Sequence, residues 1–343
     1  MPSTTRFIRK AQMPAYDMWD KLSPRLQGMD IRLLYISPDG QLTHLAGPDE
    51  GREGVHLASV LQGDYHWPFD QVITEGAYQL GATIERTNVN KRVINFGVMI
   101  GGGHPPMSHY QYHMAEDRWW NGQDPDRDGW LGQYTRFSGW RWIRVRPAKT
   151  VDTALKQSPV AYGNNFAQWD VNWVCQTPYY TKPALFKTWK AADALVDDDR
   201  DPVAGEGIIT LANRGDLESH VKYLVSSPGQ AIVQDNYSNR YITLPELVKT
   251  DGTVLVDTDP TQRTLTSSTD PVDNLFYKII RSSKILDFFL HDLEQTGLPV
   301  WQRFDSRFSF TVPPKTVVSL RVKHSNPNGI ITAILPQRYR RGR

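Results

Sequence analysis

Between Gly207 and Ser267 the chain is a succession of short apolar runs, each cut off by turn residues. Ile208-Ile209-Thr210-Leu211 gives way to Asn213-Arg214-Gly215-Asp216, and Val221-Lys222-Tyr223-Leu224-Val225 to Ser227-Pro228-Gly229. Ala231-Ile232-Val233 and Tyr241-Ile242-Thr243-Leu244 flank Asn236-Tyr237-Ser238-Asn239, and the runs 253–258 and 263–267 flank Asp259-Pro260. β-Branched residues bounded by Gly, Pro, Asn and Asp at this spacing predict an antiparallel sandwich rather than a βαβ sheet. The pattern returns near the end of the chain. Phe308, Phe310 and Val312 alternate, Pro313-Pro314 interrupts, and residues 317–323 are expected to pair with 330–335 across Ser325-Asn326-Pro327-Asn328-Gly329. Residues 273–295 break the rule. Leu275, Phe276, Ile279, Ile280, Leu286, Phe289, Leu290 and Leu293 fall mostly at helical spacing, Asp273 can cap the start, and Gly297 supplies a stop.

The first half is also β-rich. Strands are predicted at 31–36, 72–74, 82–86 and 92–100, the last ended by Gly101-Gly102-Gly103. Pro105-Pro106 then opens a helix from Met107 to about Trp120, with Tyr110, His113, Met114 and Asp117 on one face. Residues 131–137 and 140–146 are read as a hairpin around Ser138-Gly139, and 166–175 as an alternating strand anchored by Phe166, Trp169, Val171 and Trp173. Residues 1–28 show no clean period and are read as an N-terminal arm, with a short helix possible over 16–26. The acidic run Asp197-Asp198-Asp199-Arg200-Asp201-Pro202 is read as a solvated connector. The expected organisation is an arm at 1–28, a β domain with one helix at 29–190, a connector at 191–206, and a β-sandwich with one long helix at 207–343.

The order of these pieces resembles one family, the distal tail (Dit-like) proteins of siphophages. The Asn213-Arg214-Gly215-Asp216 turn, the polar hairpin after it, the Val254-Leu255-Val256-Asp257-Thr258 strand and the late Val312-Pro313-Pro314 look like that family's C-terminal galectin-like domain. Ile31 to Ile36 followed by Ser37-Pro38-Asp39-Gly40, then Gly54-Val55, then Gly76-Ala77-Tyr78-Gln79-Leu80-Gly81-Ala82, resemble its ring-forming domain, as does the segment 136–146. The resemblance implies a structural virion protein of a long, non-contractile tail. It implies a hexameric ring with a channel for DNA, stacked on the tail-tube protein and followed by a tail-associated hub, with the tape measure protein near. Trp119, Trp120, Trp140 and Trp142 are the expected aromatic anchors between subunits. The rival reading is a carbohydrate-binding adsorption protein, because Trp residues on a galectin-like sandwich can stack on sugar rings.

Composition bears on the alternatives. A net charge of +2 gives no bulk case for nucleic-acid or membrane-surface binding, so DNA would pass the channel without specific contacts. No apolar run approaches membrane-spanning length, and the basic N-terminus has no apolar stretch after it, so neither a membrane segment nor a signal peptide is expected. The single Cys175 forms no intramolecular disulfide, which agrees with assembly in a reducing host cytoplasm.

Chemistry-bearing motifs are thin. Asp124-Pro125-Asp126-Arg127-Asp128-Gly129 opens like a calcium loop, with Asp124, Asp126 and Asp128 able to converge on a cation. The twelfth position is Thr135 rather than Glu, so an acidic surface turn is the preferred reading and no metal is expected. His109 and His113 lie four apart, with His104 upstream, but lack the Glu of a zinc protease. Gly101-Gly102-Gly103 lacks the Lys-Ser/Thr of a phosphate loop, no Gly-x-Ser-x-Gly elbow occurs, and Cys175 has no argued His partner. An acid pair such as Glu206 and Asp216 has no separation that sequence can give. No catalytic residue and no cofactor is therefore expected. The basic end, Arg338, Arg340, Arg341 and Arg343, is read as a solvated tail or a docking strap.

Overall fold

The computed structural model describes residues 31–102, 106–151, 158–193, 205–268 and 303–343. The expected arm, the connector run 197–201 and the helix at 273–295 lie outside the described residues. The architecture is mainly β, as the turn pattern predicts. The chain forms two compact units, Met1–Thr181 with Arg340–Arg343, and Lys182–Tyr339. The division falls inside a strand, ahead of the expected connector, and the last four residues return to the first unit.

The first unit begins with β1 (Arg32–Ile36), paired antiparallel to β2 (Leu42–Ala46) on one side and to β7 (Gly129–Thr135) on the other. β7 continues into β8 (Gly139–Pro147) through a tight turn. Gly139 takes φ +67°, a left-handed conformation that a side-chain-bearing residue rarely adopts. The far end of β8 pairs with β9 (Phe166–Cys175), which runs along the whole of β6 (Arg92–Gly101), and β6 carries the short β3 (Val55–Leu57). The sheet thus turns at β8, and its inner faces meet over an aromatic core. Trp173 is wholly buried there, stacked on Tyr35 at 4.7 Å and met edge-on by Phe96 at 4.7 Å, with Trp119 at 6.3 Å.

The one α-helix among the described residues, α1 (His109–Asn121), starts later than Pro105-Pro106 suggests. Ser108 sets the boundary through a capping box: its hydroxyl accepts from the Gln111 N–H, and the Gln111 side chain accepts from the Ser108 N–H. Tyr112, Ala115 and Trp119 face the core, which leaves Tyr110, His113, Met114 and Asp117 outward. Two further strands, β4 (Phe69–Thr74) and β5 (Thr83–Val89), pair among the described residues only with each other.

The second unit is a sandwich of antiparallel strands. One sheet has the order β11 (Glu206–Ala212), β17 (Val317–His324), β13 (Ala231–Gln234), β14 (Tyr241–Thr243). The other runs from β16 (Leu265–Ser267) through β15 (Val254–Asp257), β12 (Lys222–Val225) and β18 (Ile330–Tyr339) to β10 (Tyr180–Lys190), of which Lys182 onward belongs to this unit. Ile209, Leu211, Val233, Leu320 and Val322 of the first sheet meet Tyr223, Val225, Val256, Ala333 and Leu335 of the second in one buried cluster.

Two expectations fail here. The stretches 317–323 and 330–335 do not form a hairpin: β17 pairs with β11 and β13, and β18 with β12. The burial patterns give the reason. β17 alternates exposed and buried, as a strand with one solvated face must, whereas residues 331–335 are buried throughout. Two strands of such different surroundings belong to opposite sheets. The connection between them crosses the core edge, plugged by the His324 ring, against which a Cβ on Gly329 would lie 2.2 Å from Nδ1. The Asn326 N–H donates to His324 Nδ1 at 3.0 Å, so Nε2 carries the proton and donates to the Ser226 carbonyl. The second failure is the alternating stretch at Phe308. It is extended, but among the described residues it makes one bridge, Val312 to Ser219, and Phe310 points outward. The Ser309 N–H, at 3.0 Å, and the Phe310 N–H donate to the buried Asp235 carboxylate instead of to a ladder.

Acid stability of the second unit has an identifiable contributor. His220 is half-buried, and its Nδ1 has no hydrogen-bond partner among the described residues. Burial pushes its pKa below the ordinary value, against the pull of Asp259. The unfolded chain therefore takes up a proton before the folded one does. This contribution is intact above the ordinary histidine pKa, about 6.5, and falls as pH drops from there toward the lower folded value. Replacing His220 by Gln is expected to flatten the stability-pH curve over that window in urea titrations. An unchanged slope would contradict this.

Candidate functional site

The hairpin of β4 and β5 is the least self-sufficient part of the described structure. Every residue of β5 is exposed, and β4 is exposed except for a half-buried Val72. Phe69, Ile73, Ile84 and Val89 are among its exposed side chains, and at the tip Tyr78 and Leu80 reach 104% and 106% exposure. A two-stranded hairpin is marginal in water alone, and apolar side chains presented this way mark a contact surface. Sequence reading placed both strands but treated them as a continuation of β1. The missed signal is Tyr78 and Leu80 sitting between Gly76 and Gly81, large apolar residues in a turn that has no core to face.

A second surface of the same unit lies on the outer face of β2-β1-β7-β8. Register places Arg144, Trp130, Ile36 and Leu42 in one row across the strands, Trp142, Gly132, Leu34 and His44 in the next, and Trp140, Tyr134 and Arg32 in a third. Trp140 and Trp142 stack at 5.2 Å, Tyr134 lies 5.4 Å from Trp140, and the Arg144 and Arg32 guanidinium carbons sit 5.1 Å and 5.6 Å over Trp130 and Tyr134. Gly132 is required here, because a Cβ would stand 2.4 Å from the Trp142 ring that lies across it. Most of these side chains are half-buried, and Leu42 is exposed. Of the four tryptophans expected as subunit anchors, Trp140 and Trp142 are therefore on an outer face. Trp119 is not: it is 2% exposed and packs in the core on Tyr35 and Trp173. Trp120 is half-buried, edge-on to Trp169.

The acidic turn is held by arginines. The Arg127 guanidinium donates to Asp124 at 2.5 Å and to Asp39 at 2.8 Å, and its contact with Asp124 keeps that carboxyl below the usual range. Asp128 accepts from Arg146 at 2.9 Å, and the Asp126 N–H donates to Asp124. Among the described residues no group of three or more His, Cys, Asp or Glu is placed to hold a metal ion. Addition of a chelator is expected to leave the melting temperature unchanged. A chelator-dependent fall that disappears in a D126N/D128N variant would contradict this. His109 and His113 are exposed on α1, where His113 faces Glu116 at 3.5 Å. Cys175 is buried in β9, and burial pushes its thiol up to about 12, the opposite of an activated nucleophile. Glu206 pairs with Lys323 and Asp216 with Lys315, each at 2.9 Å. No helix among the described residues is long and apolar enough to cross a membrane.

The second unit also exposes aromatic rings. Tyr237 and Tyr241 flank the turn after Asp235, and Phe310 is tied to the same turn through Asp235. All three are about half exposed, at 54%, 50% and 46%.

No protein-family model matches the chain, and no curated protein matches it. Solved structures do. The Dit protein of phage SPP1, described as a paradigm of the hub adsorption apparatus in phages that infect Gram-positive bacteria, aligns with a TM-score of 0.52 at 11% identity. The alignment covers 90% of this chain and 98% of that one. The chain shares its fold with a phage Dit protein. A chain from the baseplate of phage p2, in its activated conformation, aligns over the same shares with a TM-score of 0.51 at 10% identity. Identity at this level carries the fold and nothing finer. At 90% coverage the alignment takes in residues of both units.

Proposed function

We propose that this chain is a structural component of a long, non-contractile phage tail tip, a distal tail protein whose first unit closes into a ring of six around a channel for DNA. In this reading the ring stacks on the tail-tube protein and is followed by the tail-associated hub, with the tape measure protein near the channel. The galectin-like second unit points outward. The particle is assembled in the host cytoplasm, and no catalysis is involved. The unit up to Thr181, with Arg340–Arg343, is the ring-forming part, and Lys182–Tyr339 is the sandwich.

The observation that carries the reading is the hairpin of β4 and β5, with Tyr78 and Leu80 fully exposed at its tip. A lone subunit presenting such an edge would be an aggregation hazard. A heterologous contact, one surface of a copy onto a different surface of the next, removes the hazard by closing into a ring. The Trp130, Trp140 and Trp142 face supplies the aromatic anchors such a contact uses. The test is the native mass of the purified full chain. A closed hexamer supports the reading. A monomer at tens of micromolar, both alone and with the tail-tube protein as a template, overturns it.

The exposed rings of Tyr237, Tyr241 and Phe310 favour a second reading for the outer unit, carbohydrate binding during host adsorption. A glycan array probed with the full chain tests it, and Y237A/Y241A should abolish any binding seen.

A further inference from the structure

We propose that residues 340–343 form a clasp that sets the root of the β4–β5 hairpin, so that this surface depends on a segment far from it in sequence. The inference begins at Arg92, the first residue of β6, whose side chain is wholly buried. Its guanidinium makes hydrogen bonds to four main-chain carbonyls. Nε donates to Pro178 at 3.1 Å, one terminal nitrogen to Gly63 at 3.1 Å and Asp64 at 2.7 Å, and the other to Arg340 at 2.7 Å. The group thereby ties the segment just before the hairpin to the end of the chain. A buried charged donor that loses an acceptor carries a heavy penalty, so the Arg340 carbonyl is structural rather than incidental.

The main chain of this segment is fixed at two further points in the same unit. Arg141 donates to the Arg341 carbonyl at 2.8 Å. Gly342 is buried against Gln133, where a Cβ would stand 2.2 Å from Oε1. Gln133 in turn donates to the Tyr180 hydroxyl at 3.0 Å, and that hydroxyl donates to Asp64. The arginine side chains of the tail then reach the hairpin root itself. Arg340 lies 5.5 Å over Trp67 and Arg343 5.5 Å over Tyr65. Tyr65 and Trp67 stand directly before Phe69, where β4 begins. On its other side the root is pressed on β6, since Gly63 has φ +78° and a Cβ there would meet the Val93 carbonyl at 2.0 Å. Residues 63–67 are thus gripped from within by Arg92 and from outside by the tail, while among the described residues the hairpin beyond them has no other strand to lean on. A tail that only finished the fold would not converge on this segment through both its main chain and its side chains.

The test compares the full chain with a chain that stops after Tyr339, by hydrogen exchange. The clasp predicts that amides of residues 62–70 exchange at least tenfold faster in the shortened chain, and that the β4–β5 pairs follow. The β6–β9 pairs and the second unit should keep their protection. An R340A/R343A double variant keeps the Arg340 carbonyl and Gly342, and it should show a smaller rise confined to residues 65–69. It decides the matter if the shortened chain does not fold. Unchanged exchange over 62–70 in the folded variants overturns the clasp. The consequence for assembly rests on the ring reading, and the two are separable. Loss of the ring with an unchanged root sinks the clasp alone, whereas a loosened root in a chain that never forms a ring sinks the ring alone.

Discussion

Replacing Tyr78, Leu80 and Ile84 together by serine is expected to leave the full chain monomeric under conditions where the parent forms a closed ring, with its melting temperature almost unchanged. The three side chains are 104%, 106% and 56% exposed, so they contribute little to the fold of the subunit that carries them. Surface changes of this kind usually stay within about 0.5 kcal/mol. Their value appears when a neighbour covers them. Burying one such side chain is worth roughly 1.5–3 kcal/mol, so losing three removes on the order of 5 kcal/mol from every contact around the ring. That is more than a thousandfold per contact in affinity. Native mass and thermal melts measured on the same preparations check both halves. A variant that assembles like the parent would show that the hairpin faces something other than a second copy.

The second large effect is within the subunit. Trp173→Ala is expected to destabilise the first unit by about 3–5 kcal/mol. The indole is wholly buried, touches Tyr35, Phe96 and Trp119, and donates to Gln123 at 2.8 Å. Its removal leaves a cavity among three aromatic rings and strips the indole donor from Gln123 Oε1. Urea denaturation should show an early loss confined to the first unit, while Trp140→Ala, on the outer face, should cost far less. A change below about 1 kcal/mol for Trp173→Ala would mean that the core is not built around this ring.

The strands were legible because their cause is local. Alternation in 166–175 and the turn residues around 208–267 depend on near neighbours in sequence, and β9 and β11 to β16 follow from them. Partner choice was less so. The stretches 317–323 and 330–335 are adjacent and apolar, which suggests a hairpin. The sign against it is in the residues themselves, since Ile330 to Leu335 is nearly continuous in apolar residues while Val317 to Lys323 alternates. Sidedness was harder still. Trp119 and Trp140 look alike in sequence, and only the cap at Ser108 and the register of β7 with β8 place one inside and the other outside. The role of the tail was beyond reach. Arg340 and Arg92 are separated by most of the chain, and their contact is through a main-chain carbonyl that carries no residue signature.

The central claim is that this chain sits as a ring at the distal end of a tail. Electron microscopy of intact particles carrying a gold label on the second unit tests it most directly. Label clustered at the free end of the tail, around the axis, is the predicted result. Particles without label, or with label on the head or along the tube, would contradict the account.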